Sequence, residues 1–216
     1  MKASKLLSAL YSALLAVFWF ALAVAVPLLC RPYYYLMARL LHLSEKTGFS
    51  TEVIHEAYND VMDYLLLGAP FATGQLKWSE SGMSHFADCI PLFRGALIAL
   101  AVSALLLAVS AVLLRQDKLH LHHFCGRNPA AIAAAAVTLL GLVLGIWALI
   151  DFWSLFTFFH AVCFPGKTNW LFSYRTDEII LILPEAFWAI TGTLVVAIAV
   201  GGLWLTARLW RCGRQK

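Results

Sequence analysis

Four long apolar runs dominate the pattern of the chain. They cover residues 6–30, 91–114, 130–150 and 181–206. An α-helix rises about 1.5 Å per residue, so a helix of roughly 20 residues crosses a hydrocarbon core about 30 Å thick. The pattern therefore predicts an all-α membrane protein: a four-transmembrane-helix bundle that forms one integral membrane domain over residues 1–216.

The long segment between the first two runs carries a different pattern. Apolar residues recur at helical spacing from Val53 to Leu65, and acidic residues fall largely on the opposite side. Ser50 is a typical N-cap and Gly68 a typical stop. We expect an amphipathic helix here that lies across the outer surface, followed by a possible short hairpin over residues 71–78, which together form a small extracytoplasmic cap.

Composition agrees with a membrane protein. Apolar residues make up 62% of the chain and charged residues only 13%, whereas a soluble domain carries about 25% charge. The net charge is +4, but the basic residues gather at the termini and in one loop, with no stripe of basic and aromatic residues along which a nucleic acid strand would lie. We therefore expect no nucleic acid partner.

The distribution of charge orients the predicted spans. Nine of the 16 Lys and Arg residues lie at the termini or in the loop 115–129, where Asp117 is the only acid. Because Lys and Arg are retained on the cytoplasmic side, both termini are predicted to be cytoplasmic. The segments 31–90 and 151–180 are then extracytoplasmic. The nine residues are Lys2, Lys5, Arg115, Lys118, Arg127, Arg208, Arg211, Arg214 and Lys216.

The loop 115–129 contains a group of possible metal ligands: His120, His122, His123 and Cys125. Their spacing matches no closed zinc pattern. We favour solvated histidines near the lipid headgroups, with a metal cluster as the alternative.

Two histidines are predicted at one depth on the outer side. His160 lies ten residues beyond the third run, and His85 lies six residues before the second. Two such imidazoles can serve as general base and general acid near pH 7. Asp88 follows His85 by three residues, so we expect it on the same helical face, where it would fix the tautomer of His85. A metal site made of these three residues is one alternative, and a purely structural role for the histidines is another.

Other groups near the outer ends of the runs are weaker candidates. Asp151, Glu185 and Arg94 are ionisable residues just inside the predicted spans, where such groups face protein or water. Cys89 and Cys163 also lie on the outer side, where apolar packing is favoured and a disulfide is the alternative. The chain lacks a GxSxG elbow, a Walker glycine loop and a repeated CxxC, which disfavours a serine hydrolase or an ATP-driven pump.

Three stretches of the sequence resemble a known family. They are YNDVMDYL (58–65), SESGMSHFADCIPLFRG (79–95) and FFHAVCFPGKTNWLFSYRTDEIILILPEAFW (158–188). In order and spacing they are similar to a bacterial family of four-span integral membrane proteins, the lipoprotein intramolecular transacylases (Lit). The two later stretches are the most specific part of the resemblance.

The resemblance implies an acyltransferase of the bacterial cell membrane. Its substrate would be a diacylated lipoprotein, whose sn-2 acyl chain moves to the α-amino group of the N-terminal cysteine and leaves a lyso-form lipoprotein. Family members depend on one histidine from each outer motif, which correspond here to His85 and His160, at the outer leaflet. No cofactor or metal is implied, membrane lipid is the surrounding partner, and no oligomeric state follows from these residues.

Further residues are candidates for supporting the reaction or binding the substrate. They are Asp88, Asn169, Trp170, Tyr174, Arg175, Asp177, Glu185 and Tyr58. We favour His160 as the base towards the amine, with His85 either protonating the departing glycerol oxygen or stabilising the oxyanion. Two other functions stay open: a membrane lipid-ester hydrolase or other acyltransferase, with or without a metal, and a non-enzymatic four-span accessory protein.

Overall fold

The structure is a computed structural model that describes residues 4–212, with side chains described as far as Trp210. Within this range the chain forms nine α-helices and no β-strand. They are α1 (Lys5–Leu29), α2 (Arg31–Leu40), α3 (Leu43–Thr47), α4 (Thr51–Leu67), α5 (Glu80–Arg115), α6 (Pro129–Ile150), α7 (Phe152–Cys163), α8 (Ile179–Ile182) and α9 (Glu185–Cys212).

Four of these helices, α1, α5, α6 and α9, are long and apolar enough to cross a membrane. They contain the four apolar runs, with two differences in their limits. The second of these four helices, α5, begins at Glu80, eleven residues before the second apolar run, so His85 and Asp88 lie in its first turns. The fourth, α9, begins at Glu185. Pro184 disfavours a helical conformation at Leu183 and so separates the short α8 from α9.

The chain divides into two compact units. The first comprises Met1–Val26, Ala96–Trp147 and Thr193–Lys216, and the second comprises Pro27–Gly95 and Ala148–Gly192. Every candidate catalytic or substrate-binding residue of the sequence analysis belongs to the second unit, whereas the possible metal ligands of the loop 115–129 belong to the first.

Small residues allow close helix packing in the first unit. Its buried cluster contains Ala130, Ala131, Ala133 and Ala134 of α6, together with Leu15, Leu203 and Ala207. Gly202 of α9 lies directly against the indole of Trp19 in α1. Short side chains bring helix backbones close together, which is how helices associate where the surrounding lipid is as apolar as the protein.

Hydrogen bonds hold the loop 115–129 to the helices of the first unit. The Ser12 hydroxyl donates to the Pro129 carbonyl at 2.9 Å, and the Asn128 amide donates to the Ala207 carbonyl at 3.1 Å. The Ser8 hydroxyl accepts from the backbone of His122 at 2.6 Å. No group of three His, Cys, Asp or Glu side chains suitable for a metal ion occurs between residues 4 and 210, in this loop or elsewhere.

Some of the nine Lys and Arg residues from which the membrane orientation was predicted lie at the ends of the chain. Lys2, Arg214 and Lys216 are outside the described residues, and the Arg211 side chain is as well. The assignment of the termini to the cytoplasm stays a prediction.

The amphipathic helix of the second unit forms as expected. In α4 the Ser50 hydroxyl accepts from the Val53 backbone N–H, and Gly68 ends the helix with a positive φ of 77°. The buried face comprises Ile54, Ala57, Tyr58, Val61, Met62 and Leu65. Of the acids on the other face, Asp63 forms an ion pair with Arg31 of α2, so one of them joins two helices rather than facing solvent alone.

Tyrosine stacking joins α2, α4 and α8. The Tyr34 and Tyr58 rings stack at 3.6 Å and 6°, and the buried Tyr34 hydroxyl donates to the Ile182 carbonyl at 2.9 Å. Burial and the neighbouring Tyr58 raise the pKa of Tyr34, so the hydroxyl remains a donor. This hydrogen bond, together with the burial of Ile179 and Ile182, helps to hold α8 in place.

The possible hairpin over residues 71–78 does not form. This segment has no strand; it makes a single turn in which the Thr73 hydroxyl bonds to the Leu76 carbonyl at 2.7 Å. The Gly74 N–H donates to the Asp60 carboxylate of α4 at 2.8 Å. Phe71 packs edge-on against Tyr64 and Trp78. Contacts with α4 and with its own aromatic residues thus replace strand pairing.

The contact between Gly202 and Trp19 yields a prediction on stability. A Cβ at Gly202 would collide with the indole ring, so Gly202→Ala should destabilise the protein by about 1–3 kcal/mol through overpacking. Gly201→Ala is the matched control, because a Cβ there meets open space and alanine favours a helix by roughly 0.5–1 kcal/mol. Thermal unfolding of both variants in detergent should show opposite shifts; equal midpoints would contradict the packing.

Candidate active site

The structure brings His85 of α5 and His160 of α7 together. Their ring centroids are 5.6 Å apart and their planes differ by 38°. Both residues are buried, with exposed fractions of 7% and 5%. Two imidazoles are therefore neighbours in a place from which bulk water is largely excluded.

The hydrogen bond of His160 sets its tautomer. Its Nδ1 lies 2.8 Å from the carbonyl oxygen of Phe156, one helical turn earlier. A carbonyl only accepts, so Nδ1 carries the proton and Nε2 carries the lone pair. Burial lowers the pKa of His160 from its ordinary value, an effect larger than the opposing hydrogen bond to Phe156. The ring is therefore neutral at pH 7, with a basic Nε2.

Aromatic rings surround the pair. The Trp170 indole stacks on His160 at 4.4 Å and 26°, and its Nε1 donates to the Lys167 carbonyl at 3.0 Å, which holds the indole in place. Phe164 lies 4.9 Å from His85 and 5.6 Å from His160, and Phe172 lies 5.5 Å from His85. The site is thus lined by apolar faces, which suit an acyl chain better than a charged ligand.

His85 uses one nitrogen and leaves the other without a partner. Its Nε2 lies 3.7 Å from the Cys89 sulfur, one turn further along α5. Its Nδ1 is buried and has no hydrogen-bond partner among the described residues. A protonated thiol donates to the lone pair of an imidazole nitrogen, and a neutral imidazole carries one proton. With the thiol as donor to Nε2, that proton lies on Nδ1.

Asp88 does not orient His85, contrary to the expectation from spacing. Its carboxylate forms an ion pair with Lys167 and accepts a hydrogen bond of 2.9 Å from the Asn169 amide. The spacing placed Asp88 and His85 on one side of α5. Lys167 and Asn169, which come from the loop after α7, offer the Asp88 carboxylate a cation and an amide donor, and it binds these instead of His85. Asp88 therefore ties that loop to α5.

Comparisons with known proteins agree with this arrangement. The family model for lipoprotein intramolecular transacylase Lit matches residues 9–188 of the chain. The chain belongs to the Lit family. It is therefore an enzyme of that family, as the sequence motifs implied. No curated protein matches it.

Solved structures of a Lit protein share the fold. The chain is similar to the in meso structure of the membrane integral Lit from Bacillus cereus, with 22% identity, 95% of this chain and 93% of that chain covered, and a TM-score of 0.81. Two structures of that protein, with a histidine-to-alanine and a histidine-to-arginine mutation, each give 21% identity and a TM-score of 0.76. Both matches cover 95% of this chain, and they cover 91% and 89% of the respective mutant chains. With its four apolar helices, this Lit family member is a multi-pass membrane protein.

The alternative metal site of the sequence analysis does not assemble. Asp88 is engaged by Lys167 and Asn169, and no set of three candidate ligands lies together in residues 4–210. Cys89 and Cys163 are both free thiols, so the disulfide alternative does not form either.

Asp177 acts at the start of α5 rather than at the histidines. It is 4% exposed and accepts hydrogen bonds from the Ser79 backbone, the Ser79 hydroxyl and the Thr176 hydroxyl, at 2.7–3.0 Å. The Ser79 hydroxyl in turn accepts from the Gly82 N–H at 3.0 Å, as an N-cap does. A side chain at Gly82 would collide with the carboxylate. Asp177 thus fixes the helix that carries His85.

The remaining candidates make other contacts or are exposed. Tyr58 is buried in its stack with Tyr34. Tyr174 is 60% exposed, with the Arg175 guanidinium 5.8 Å from its ring centre. Glu185 is exposed in the first turn of α9.

The weaker ionisable candidates are also accounted for. Asp151 is the N-cap of α7, where it accepts from the Ser154 N–H at 2.9 Å. Arg94 is exposed on α5.

Sequence reasoning missed the contacts of three residues. Cys89 lies four residues after His85, a spacing that already predicts contact on a helix, but we considered it only for apolar packing or a disulfide. Lys167 could be recognised from the sequence only as a cation within a turn. The Phe156 carbonyl had none, because a backbone acceptor is invisible in a sequence.

The role of Asp177 yields a prediction. Asp177→Ala leaves the donors of Ser79 and Thr176 without their acceptor, and hydrogen bonds to a charged group contribute about 1.5–3 kcal/mol. We expect the thermal unfolding midpoint in detergent to fall by several degrees and activity to fall with it, because α5 positions His85. Glu80→Ala, at an exposed neighbouring acid, is the control. A midpoint equal to that of the control would show that Asp177 does not hold the helix start.

Proposed function

We propose that the chain catalyses transfer of the sn-2 acyl chain of a diacylglyceryl-cysteine lipoprotein to the α-amino group of the same cysteine, which leaves a lyso-form lipoprotein. The observation that carries the proposal is the buried histidine pair, 5.6 Å apart, in which one ring presents a basic Nε2 and the other a buried Nδ1 with no partner among the described residues. A base and a donor are what aminolysis of an ester requires.

The substrate supplies both reactants of this step. Its ester and its amine belong to one molecule, so the attack is intramolecular, and well-oriented reactions of this kind reach effective concentrations of about 10⁵ M or more. No enzyme nucleophile is therefore needed. The enzyme has to hold a neutral amine against the ester carbonyl, accept one proton and stabilise one negative charge.

His160 is proposed as the base that moves the proton. The amine attacks the ester carbonyl and forms the new C–N bond while His160 Nε2 takes a proton from the nitrogen. The resulting imidazolium then gives this proton to the glycerol oxygen as the C–O bond breaks. The ring begins and ends neutral, and the same proton leaves the nitrogen and arrives on the oxygen.

His85 is proposed as the donor to the oxyanion. With Cys89 as the donor to Nε2, the Nδ1–H of His85 is free to bond to the carbonyl oxygen as it gains charge. A neutral imidazole suits this role, because a preorganised donor in a dry site stabilises a developing charge without transferring its proton. This arrangement favours the oxyanion role over protonation of the leaving group.

The same proposal includes the side of the membrane. Lys and Arg concentrate at the termini and in the loop 115–129, which favours a cytoplasmic location for both termini. His85 and His160 then act at the outer leaflet, where a diacylated lipoprotein presents its glycerol esters. The rings of Phe164, Phe172 and Trp170 support contact with acyl chains at that level.

The first test is the location of the acyl chain. A purified diacyl lipoprotein is incubated with the enzyme, and its N-terminal lipopeptide is fragmented in a mass spectrometer, because the transfer leaves the total mass unchanged. We expect the acyl group on nitrogen with the wild type. His160→Ala should lower the rate about 10²–10⁴-fold, the usual contribution of a general base, and His85→Ala about 10²–10³-fold, the usual contribution of one oxyanion donor.

The matched control is His42→Asn. His42 is an exposed histidine of the same unit with a positive φ of 54°, which asparagine tolerates. It should keep the wild-type rate. Loss of one fatty acid from the substrate would instead indicate a hydrolase, and full transfer by either alanine variant would exclude that histidine from the reaction.

The second prediction concerns pH. Transfer needs a neutral amine, with a pKa of about 8, and a neutral His160. Because burial lowers the pKa of His160 below its ordinary value of 6.5, the neutral base persists as the pH falls until that lowered pKa is reached. A plot of log kcat/KM against pH should therefore rise with a slope of about 2 below it and about 1 between it and pH 8.

A variant isolates the two titrations. His160→Gln should retain only the limb of slope 1, because the amine still titrates while residue 160 does not. A slope of 2 that persists up to pH 6.5 or beyond in the wild type would contradict a lowered pKa.

A further inference from the structure

Unpaired buried polar atoms concentrate at the candidate active site. Three such side-chain atoms occur among the described residues: His85 Nδ1, Thr157 Oγ1 and Asn169 Oδ1. Thr157 lies three residues before His160 on α7, and Asn169 directly precedes Trp170, the residue that stacks on His160. A buried polar group without a partner costs free energy, so this concentration calls for an explanation.

The orientation of the Asn169 amide is fixed by its neighbours. Its Nδ2 donates to Asp88 at 2.9 Å and to Ser84 at 3.2 Å, which uses both N–H groups. A carboxylate accepts only, so a flipped amide would place oxygen against oxygen. Lys167 binds the other carboxylate oxygen and holds Asp88 in place. Asn169 therefore presents its Oδ1 as an acceptor and has no N–H left for an oxyanion.

We propose that Asn169 Oδ1 is the acceptor for the attacking α-amino group of the substrate. The inference rests on the proposed function, because it concerns the nucleophile of that reaction. An amine that attacks an ester must be held by one N–H and deprotonated through the other. Asn169 accepts the first hydrogen bond and His160 Nε2 takes the second proton.

This assignment gives Asp88 a role. Ser84, His85 and Asp88 lie within two turns of α5, so the amide that Ser84 and Asp88 bind is anchored beside His85. Asp88 acts on the substrate through Asn169 and is a positioning residue. Its spacing from His85 reflects a shared helical face rather than a bond between the two.

A neutral amide keeps the bound amine in its reactive form. An amine bound to a carboxylate is stabilised as the ammonium ion, which has no lone pair with which to attack, whereas an amide oxygen accepts from the neutral amine without this penalty. An amine that Asn169 holds also occupies the place beside the carbonyl carbon that an attacking water molecule would need. Asn169 thus helps to decide whether the acyl chain moves to nitrogen or is hydrolysed.

The decisive experiment measures the fate of the acyl chain. Asn169→Leu removes the acceptor at similar size. We expect the rate of N-acylation to fall about tenfold or more and KM to rise, while the fraction of cleaved ester that appears as free fatty acid increases. Mass spectrometry of the lipopeptide and of the released fatty acid measures both products in one reaction.

Asn59→Leu is the matched control. Asn59 is also half-buried and belongs to the same unit, but its Oδ1 is already occupied by the Tyr35 hydroxyl at 2.7 Å. It should keep the wild-type ratio of N-acylation to hydrolysis. Wild-type N-acylation, KM and product ratio in Asn169→Leu would overturn the inference, whereas a wild type that forms no N-acyl product would overturn the proposed function.

A second variant decides the matter if Asn169→Leu fails to fold. Asn169→Asp keeps the shape and offers a carboxylate, which would hold the amine as ammonium in the presence of the nearby Asp88 and Lys167. The rise of kcat with pH, which reports the titration of the bound amine, should then shift to higher pH. An unshifted profile in this variant would overturn the inference, because a purely structural residue does not change the titration of the substrate.

Discussion

The site depends on the hydrogen bonds that join the loop after α7 to the beginning of α5. Asp177 binds both donors of Ser79, and Asp88 binds Lys167 and Asn169. Asp177 belongs to the loop, and Asp88 belongs to the helix. Together they hold two chain segments that are about 80 to 100 residues apart in sequence. His85 lies on α5, and His160 lies on α7, directly before the loop.

The site also depends on the exclusion of water from the two histidines. Rings of Trp170, Phe164 and Phe172 pack around the histidine pair, and burial lowers the pKa of His160, so this imidazole remains uncharged near pH 7. An uncharged imidazole has one donor and one acceptor, and its surroundings decide which nitrogen is which. A backbone carbonyl decides this for His160, whereas His85 has a thiol beside its Nε2 and a buried Nδ1 with no partner among the described residues.

Local patterns were predictable wherever they depend on neighbouring residues in the chain. Ser50 and Gly68 limit α4 as expected, since an N-cap and a glycine with positive φ act within a single turn. The hairpin over residues 71–78 was wrong, because α4 supplies the partner that binds Gly74. The orientation of His85 by Asp88 was wrong for a similar reason: a shared helical face does not show which distant cation or amide competes for the carboxylate.

The sequence by itself determined the class of molecule, the four apolar helices and the family, because length, hydropathy and motif spacing are properties of the chain alone. It also singled out His85 and His160. Only the tertiary structure decided their separation, the tautomer of His160 and the pairing of Asp88 with Lys167 and Asn169. These features depend on contacts between segments remote in sequence and on backbone acceptors, and neither leaves a pattern in the order of residues.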